Sequence, residues 1–270
     1  MRFRHRRNFN ALYPRGESGQ GADVDNNPTL PELKGAAAEP GHLYLVATPI
    51  GNLGDISPRA LALLQSCDAV ACEDSRVTGQ LLARFGIRAK QLIPFHEHNE
   101  RHKAGDLAGE LEAGRSLCLV SDAGTPALSD PGFRLVRECR RRGLPVLPVP
   151  GPNALVAALT ASGLPTNAFW FAGFLPPKSA ARIRFLDTNR DFPHTLCFYE
   201  SPHRIVKFVD EIVATLGEDR VICLAKEITK LHERFLTGAA GTVRAEMDRV
   251  SLKGEFVVVI APEGYRLEES

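Results

Sequence analysis

The residues best equipped for chemistry follow short apolar runs. Ser121-Asp122-Ala123-Gly124-Thr125-Pro126 and Ser129-Asp130-Pro131-Gly132-Phe133 come directly after Leu117–Val120 and concentrate Asp, Ser, Gly and Pro far beyond what one turn requires. Pro150-Gly151-Pro152-Asn153 is a further rigid loop, feeding a helix N-terminus. Such loops suit an extended organic ligand held by backbone groups. Later, Glu200-Ser201-Pro202-His203-Arg204 and Lys226-Glu227-Ile228-Thr229-Lys230 each succeed an apolar strand. A buried Lys can act as a base with a neighbouring Glu to orient it, although a surface ion pair uses the same residues.

Other chemistries are excluded by spacing. Thr48-Pro49-Ile50-Gly51-Asn52-Leu53-Gly54-Asp55 has two glycines that let backbone approach a ligand, but matches neither G-x-G-x-x-G nor a Walker loop. A nicotinamide or nucleoside triphosphate is therefore not expected. In Phe95-His96-Glu97-His98-Asn99-Glu100-Arg101-His102, no single regular element turns all three His to one side, and H-E-x-x-H is absent. A polar loop is expected there, not a metal site.

These loops must be positioned by elements, and the pattern from His42 onward is strand, loop, helix, repeated. Strands are expected at His42–Ala47, Ala69–Cys72, Ser116–Val120 and Val146–Val149, with helices at Pro58–Gln65, Thr78–Phe85, Glu100–Ala113, Phe133–Arg142 and Asn153–Ser162. That alternation argues a mainly parallel sheet covered on both faces. The rhythm breaks at Gly163–Asn167 and restarts with strands Phe169–Gly173, Thr195–Tyr199, Val221–Ala225 and Phe256–Ile260. Helices Ser179–Asn189, His203–Leu216 and Ala240–Val250 lie between them. Ser57-Pro58, Asp130-Pro131 and Ser201-Pro202 each place a capping side chain before a Pro at a helix start. The expected division is a basic arm over residues 1–40, α/β domains over 41–163 and 164–262, and a tail over 263–270, with the ligand in the cleft between the domains.

Composition is consistent with this. At 44% apolar and 24% charged, the 270 residues exclude wholesale disorder, a fibrous repeat and a coiled coil. No apolar run approaches the ~18 residues of a membrane span. With 33 Lys and Arg against 32 Asp and Glu, net charge does not identify a polyanionic partner. Six Cys without a C-x-x-C pair point to a reducing, cytoplasmic setting. The arm carries Arg2, Arg4, Arg6 and Arg7 but no apolar stretch behind them, so it reads as a solvated tail and not as a signal peptide.

Taken in order, these loops closely resemble one family. Val46 to Ile56, Cys72-Glu73-Asp74-Ser75-Arg76, Phe95 to Glu100, Ser121 to Pro126, Ser129 to Phe133, Pro150-Gly151-Pro152, Gly173-Phe174-Leu175-Pro176-Pro177-Lys178, Tyr199 to Arg204 and Lys226 to Lys230 resemble the motifs of the ribosomal RNA small subunit methyltransferase I family. That family lies within the tetrapyrrole methylase superfamily. The resemblance spans Gly41 to about Pro262. It implies two α/β domains of the tetrapyrrole methylase type with a cleft for S-adenosyl-L-methionine between them, a homodimer, and methylation of the ribose 2′-hydroxyl of a decoding-centre cytidine in 16S rRNA of the small ribosomal subunit. Ser75 stands where the family usually has Thr, and Lys226 and Ile228 where it often has Arg and Leu.

On that reading Pro49, Ser121, Asp122, Ala123, Gly124, Thr125, Pro126, Asn153, Ala154 and Ser201 are candidate cofactor contacts. Asp74, Arg76, His96, His98 and Arg204 are candidate substrate contacts. Glu227 and Lys230, supported by Lys226, or alternatively Glu200 with His203, are candidates for removing the hydroxyl proton. Two rival readings are a methylase of the same superfamily acting on a tetrapyrrole precursor or a modified histidine, and a non-catalytic ribosome-assembly factor binding RNA.

Overall fold

A computed structural model describes residues 37–267. The 1–40 arm expected from the sequence lies almost wholly outside them, as does the end of the tail. The chain divides into two compact units, one running to Pro152 and the other from Asn153, ahead of the expected break at Gly163–Asn167. Among the described residues no helix is long and apolar enough to cross a membrane.

In the first unit, strands β1 (Leu43–Val46), β2 (Ala69–Cys72), β3 (Leu92–Pro94), β4 (Leu117–Val120) and β5 (Val146–Val149) form a sheet in the order β3-β2-β4-β1-β5. Every pairing in it is parallel. The central strands are apolar throughout because both faces are covered. Leu43, Ala69, Ala71, Leu117 and Leu119 meet helices α3 (Glu100–Glu112) and α4 (Phe133–Arg141) through Leu107, Leu111 and Leu135. The alternate residues Tyr44, Val46, Val70, Cys118 and Val120 meet α1 (Pro58–Ser66) and α2 (Ser75–Arg84) through Leu63, Leu64 and Leu82. Each of these leucines contributes about 1.5–3 kcal/mol on burial. All five strands end at one rim, and the helices after the adjacent strands β1 and β4 lie on opposite faces. That is the arrangement in which a ligand crevice opens.

The second unit is built differently. Its sheet, in the order β6-β7-β10-β8-β9, comprises β6 (Phe169–Phe174), β7 (Thr195–Glu200), β8 (Val221–Lys226), β9 (Arg234–Ala239) and β10 (Phe256–Ile260). Only β6 and β7 pair in parallel; the other three pairings are antiparallel. One face packs on α6 (Ser179–Thr188), α7 (Ile205–Leu216) and α8 (Ala240–Met247) through Leu186, Phe208, Val209, Ile212, Val243 and Met247. Helix α5 (Ala154–Ala161) lies against β10 and β7, which is why it belongs with this unit.

Of the three expected cap-plus-proline starts, one holds in full. Ser57 accepts the N–H of Ala60 at 3.1 Å, with Pro58 opening α1. Helix α4 begins at Phe133 as expected, but that is two residues beyond Pro131, and its cap position is Gly132, not Asp130. Helix α7 begins at Ile205, after a turn over residues 202–204, and the hydroxyl of Ser201 is buried without a hydrogen bond among the described residues.

Candidate active site

At the carboxyl rim of the first sheet, four loops are tied to one another. Thr48 and Gly124 exchange main-chain bonds of 2.9 and 3.0 Å, joining the β1 and β4 loops. The Thr48 hydroxyl donates to Ser121 O at 3.1 Å, and the Ser121 hydroxyl turns back to Gly124 O at 3.2 Å. Thr125 Oγ1 donates to Pro152 O at 3.1 Å, adding the β5 loop. Asp122, 8% exposed, accepts the N–H of Asp74 at 3.1 Å, adding the β2 loop. Gly124 has φ +85°, a conformation that favours glycine, and a Cβ there would press on Ile50 at 3.3 Å. Pro49, Ala123 and Pro126 sit within this knot of loops.

Asp74 caps helix α2, accepting Arg76 N at 2.9 Å, and grips the Arg76 guanidinium with both oxygens. The Arg76 guanidinium holds the Asp74 carboxyl below the usual carboxylate range. The two candidate substrate contacts are thus first each other's partners. Helix α2 consequently starts at Ser75, three residues before the expected Thr78.

The remainder of the β4 loop is fixed from outside it. Glu100, the first residue of α3, accepts the N–H groups of Gly132 at 3.1 Å and Arg134 at 2.8 Å, supplying the cap for α4 from another helix. Gly132 has φ +145°, and a Cβ there would clash with Ala127 and Leu119, each at 2.9 Å. Ala127 and Ser129 also take positive φ, a strained pair of the kind that clusters at functional sites.

In the β3 loop, Asn99 Oδ1 accepts His96 N at 2.9 Å, while Asn99 Nδ2 reaches Pro94 O at 3.0 Å and His96 Nε2 at 3.1 Å. His96 Nδ1 is buried with no partner among the described residues. His98 has a side chain 76% exposed beside Glu97, its ring edge-on to that of His96 with centroids 5.9 Å apart. Only His96 of this pair is built into the rim.

In the second unit, Glu200, Phe256, Lys226 and Arg234 form one row across β7, β10, β8 and β9. Residues so aligned project from the same face. Strand spacing of about 4.8 Å puts Glu200 and Lys226 roughly 10 Å apart, with Phe256 between them. Glu200 Oε1 accepts Ser201 N at 2.7 Å and Arg204 Nε at 2.8 Å, so the candidate substrate contact Arg204 is its ion partner; Glu200 Oε2 is buried without one. His203, which the sequence reading offered with Glu200 as an alternative pair, lies in the turn that precedes α7.

Lys226-Glu227-Ile228-Thr229-Lys230 opens the hairpin loop between β8 and β9, a strand that the sequence reading did not foresee. Glu227 and Thr229 both have positive φ. Glu227 Oε1 accepts Lys230 Nζ at 2.8 Å and Glu255 N at 2.9 Å, and Lys230 also reaches Glu255 Oε2 at 3.2 Å. Glu227 and Lys230, named together from the sequence, are thus in contact. Asn153 caps α5, accepting Val156 N at 3.1 Å, and Ala154 is that helix's first residue.

Two contributors were missed. Glu73, directly after buried β2, has Oε2 buried without a partner among the described residues; its sequence signals were that position and its place in the Cys72-Glu73-Asp74-Ser75-Arg76 motif. Arg182 is 1% exposed, pairs Glu211 through two bonds of 2.7 and 2.6 Å, and donates to Pro176 O and Pro177 O, fixing the loop that follows β6.

Residues 42–244 match the family described as Tetrapyrrole (Corrin/Porphyrin) Methylases. Solved structures share the fold: diphthine synthase, with TM-score 0.63 and 14% identity over 83% of this chain and 91% of that one, and uroporphyrin-III-C-methyltransferase from Thermus thermophilus, with 0.56 and 21% over 82% and 94%. Sequence relatives are nearer. Ribosomal RNA small subunit methyltransferase I of Escherichia coli O157:H7 is 48% identical over 231 residues, covering 85% of this chain and 80% of that protein. The protein of the same name from Synechocystis is 46% identical over 221 residues, covering 82% and 79%. With identity at this level sustained across both units, the chain belongs to the tetrapyrrole methylases and, within them, to the ribosomal RNA small subunit methyltransferase I family.

Proposed function

We propose that this protein transfers the methyl group of S-adenosyl-L-methionine to small-subunit ribosomal RNA, at the ribose 2′-hydroxyl of a decoding-centre cytidine of 16S rRNA, acting as a homodimer in the cytoplasm. The observation that carries this reading is the 48% identity over 231 residues with a ribosomal RNA small subunit methyltransferase I.

The first-unit loops fit the cofactor. Residues 47–57, 121–132 and 150–153 contain Asp55, Asp122 and Asp130 but neither Lys nor Arg. A cradle of that charge suits a sulfonium and an ammonium and disfavours a polyphosphate. Pro49, Ser121, Asp122, Ala123, Gly124, Thr125 and Pro126 hold it in this reading, and Asn153, Ala154 and Ser201 are further candidate contacts. When bound, the cofactor supplies an activated methyl group, so the protein's task is chiefly alignment and proton removal.

Glu227 is the base in this assignment. Its Oε1 is held by Lys230 and the Glu255 N–H, and among the described residues Oε2 takes no bond. Lys226 stabilises negative charge developing on the ribose oxygen. Glu200 holds Arg204 for the RNA, with His203 on the same turn, and Asp74 with Arg76 adds a further polar contact.

The test is methyl transfer from labelled cofactor to purified small subunits, followed by mapping of 2′-O-methyl marks. One mark on a 16S cytidine is expected. Label entering a tetrapyrrole and no RNA, or no cofactor binding at all, overturns the reading.

A further inference from the structure

The β3 loop fixes which nitrogen of His96 carries the proton. Asn99 accepts a main-chain N–H through Oδ1 and donates to a main-chain carbonyl through Nδ2, so its amide has one orientation. Nδ2 can only donate, hence His96 Nε2, 3.1 Å away, must accept. In the neutral ring the proton then sits on Nδ1, which is buried with no partner among the described residues. A buried donor left unpaired is costly, and an ordered water or a bound ligand supplies the missing partner.

A matching acceptor lies on the neighbouring strand end. Phe95 N donates to Cys72 O at 2.7 Å, bringing the start of the β3 loop beside Cys72-Glu73. Glu73 Oε2 is also buried and unpaired among the described residues. Strands β3 and β2 stand outside β4 and β1 in the sheet, and β3 is three strands from β1, about 14 Å at the usual spacing. Asp74 N, next in the chain to Glu73, bonds Asp122 of the β4 loop, so this donor and acceptor flank the cofactor loops on their outer side, His96 farther out than Glu73.

Resting on the functional reading above, we propose that Glu73 and His96 recognise the base of the target nucleotide. Cytosine offers an exocyclic amine to Glu73 Oε2 and ring or carbonyl acceptors to His96 Nδ1–H. Uracil puts a carbonyl against the carboxylate and is refused.

The experiment uses the full chain and small subunits carrying cytidine or uridine at the methylated position. The wild type favours cytidine about tenfold to a hundredfold in kcat/KM. Glu73→Gln, whose amide can both donate and accept, loses on cytidine and gains on uridine, so that the ratio falls to within a few-fold. His96→Leu loses about tenfold on cytidine, mostly in KM, while His96→Asn, with an amide donor near the Nδ1 position, regains most of it. All three variants bind S-adenosylmethionine like the wild type, and nitrogen NMR of the unmodified protein reads His96 protonated on Nδ1. The proposal is overturned if Glu73→Gln keeps the wild-type preference, if these variants lose cofactor affinity, or if NMR places the proton on Nε2. A wild type that methylates neither substrate refutes the functional reading itself, and this inference with it.

Discussion

The Glu227 carboxylate occupies the space in which a Cβ at position 254 would sit. Gly254 has φ +113°, so glycine is demanded there by both backbone and neighbour. Gly254→Ala expels the carboxylate from its bonds to Lys230 and Glu255 N. The expected result is a kcat lower by about a hundredfold, since a displacement of about 1 Å has that effect, with cofactor affinity nearly unchanged. Steady-state kinetics alongside cofactor titration checks it; an unaltered kcat removes Glu227 from the base role.

Asp122 joins the β4 loop to Asp74 N and supplies negative charge beside the proposed cofactor cradle. Asp122→Ala is expected to weaken S-adenosylmethionine binding by about tenfold to a hundredfold, the range for a charged hydrogen bond. Asp122→Asn keeps an acceptor for Asp74 N and separates the folding contribution from the binding one. Calorimetry showing wild-type affinity in both variants would strike Asp122 from the site.

The buried pair Arg182–Glu211 invites a stability test. Removing one partner strands a charge in the interior, so Arg182→Ala is expected to destabilise the second unit by about 3–5 kcal/mol. Replacing both with Met and Leu costs far less. Urea unfolding followed by fluorescence of Trp170, which packs on Phe185 of α6, reports both.

Acid sensitivity has a named contributor. Asp68 accepts Ser116 N at 2.9 Å and Ser116 Oγ at 2.8 Å, and bonds Lys90. These bonds, those of Ser116 first, lower its carboxyl from 3.8 to about 2. Because the folded value is depressed, its stabilisation is present above the unfolded value and disappears as pH falls from about 4 to about 2. Asp68→Asn should flatten the stability profile across that window while lowering stability at neutral pH. A profile parallel to wild type there would refute the assignment.

Much of the first unit was legible because buried parallel strands are continuous apolar runs and their helices begin and end on recognisable residues. What escaped notice lay at sheet edges. Leu92–Pro94 is three residues closed by a proline, and Arg234–Ala239 mixes Arg, Thr and Gly on a half-exposed edge, so neither gives an apolar signal. The start of α4 was placed correctly at Phe133 but its cap was sought at Asp130, because the capping carboxylate, Glu100, is thirty-four residues from Arg134 and no local motif encodes it. At the site, the loops and the Glu227–Lys230 pair could be read from residue types and position. The importance of Glu73 and the tautomer of His96 could not, since both depend on which partners are missing in three dimensions.

Because the strands of the first sheet run one way, its candidate chemistry is confined to the carboxyl rim and the amino rim is released from it. Turns there, such as those at Gly86 and Gly114, have nothing within 4 Å of a would-be Cβ. Lineages can lengthen those turns without disturbing methyl transfer, and an affinity handle or fluorescent domain grafted at Gly114 offers a way to tether the enzyme while its working edge stays open.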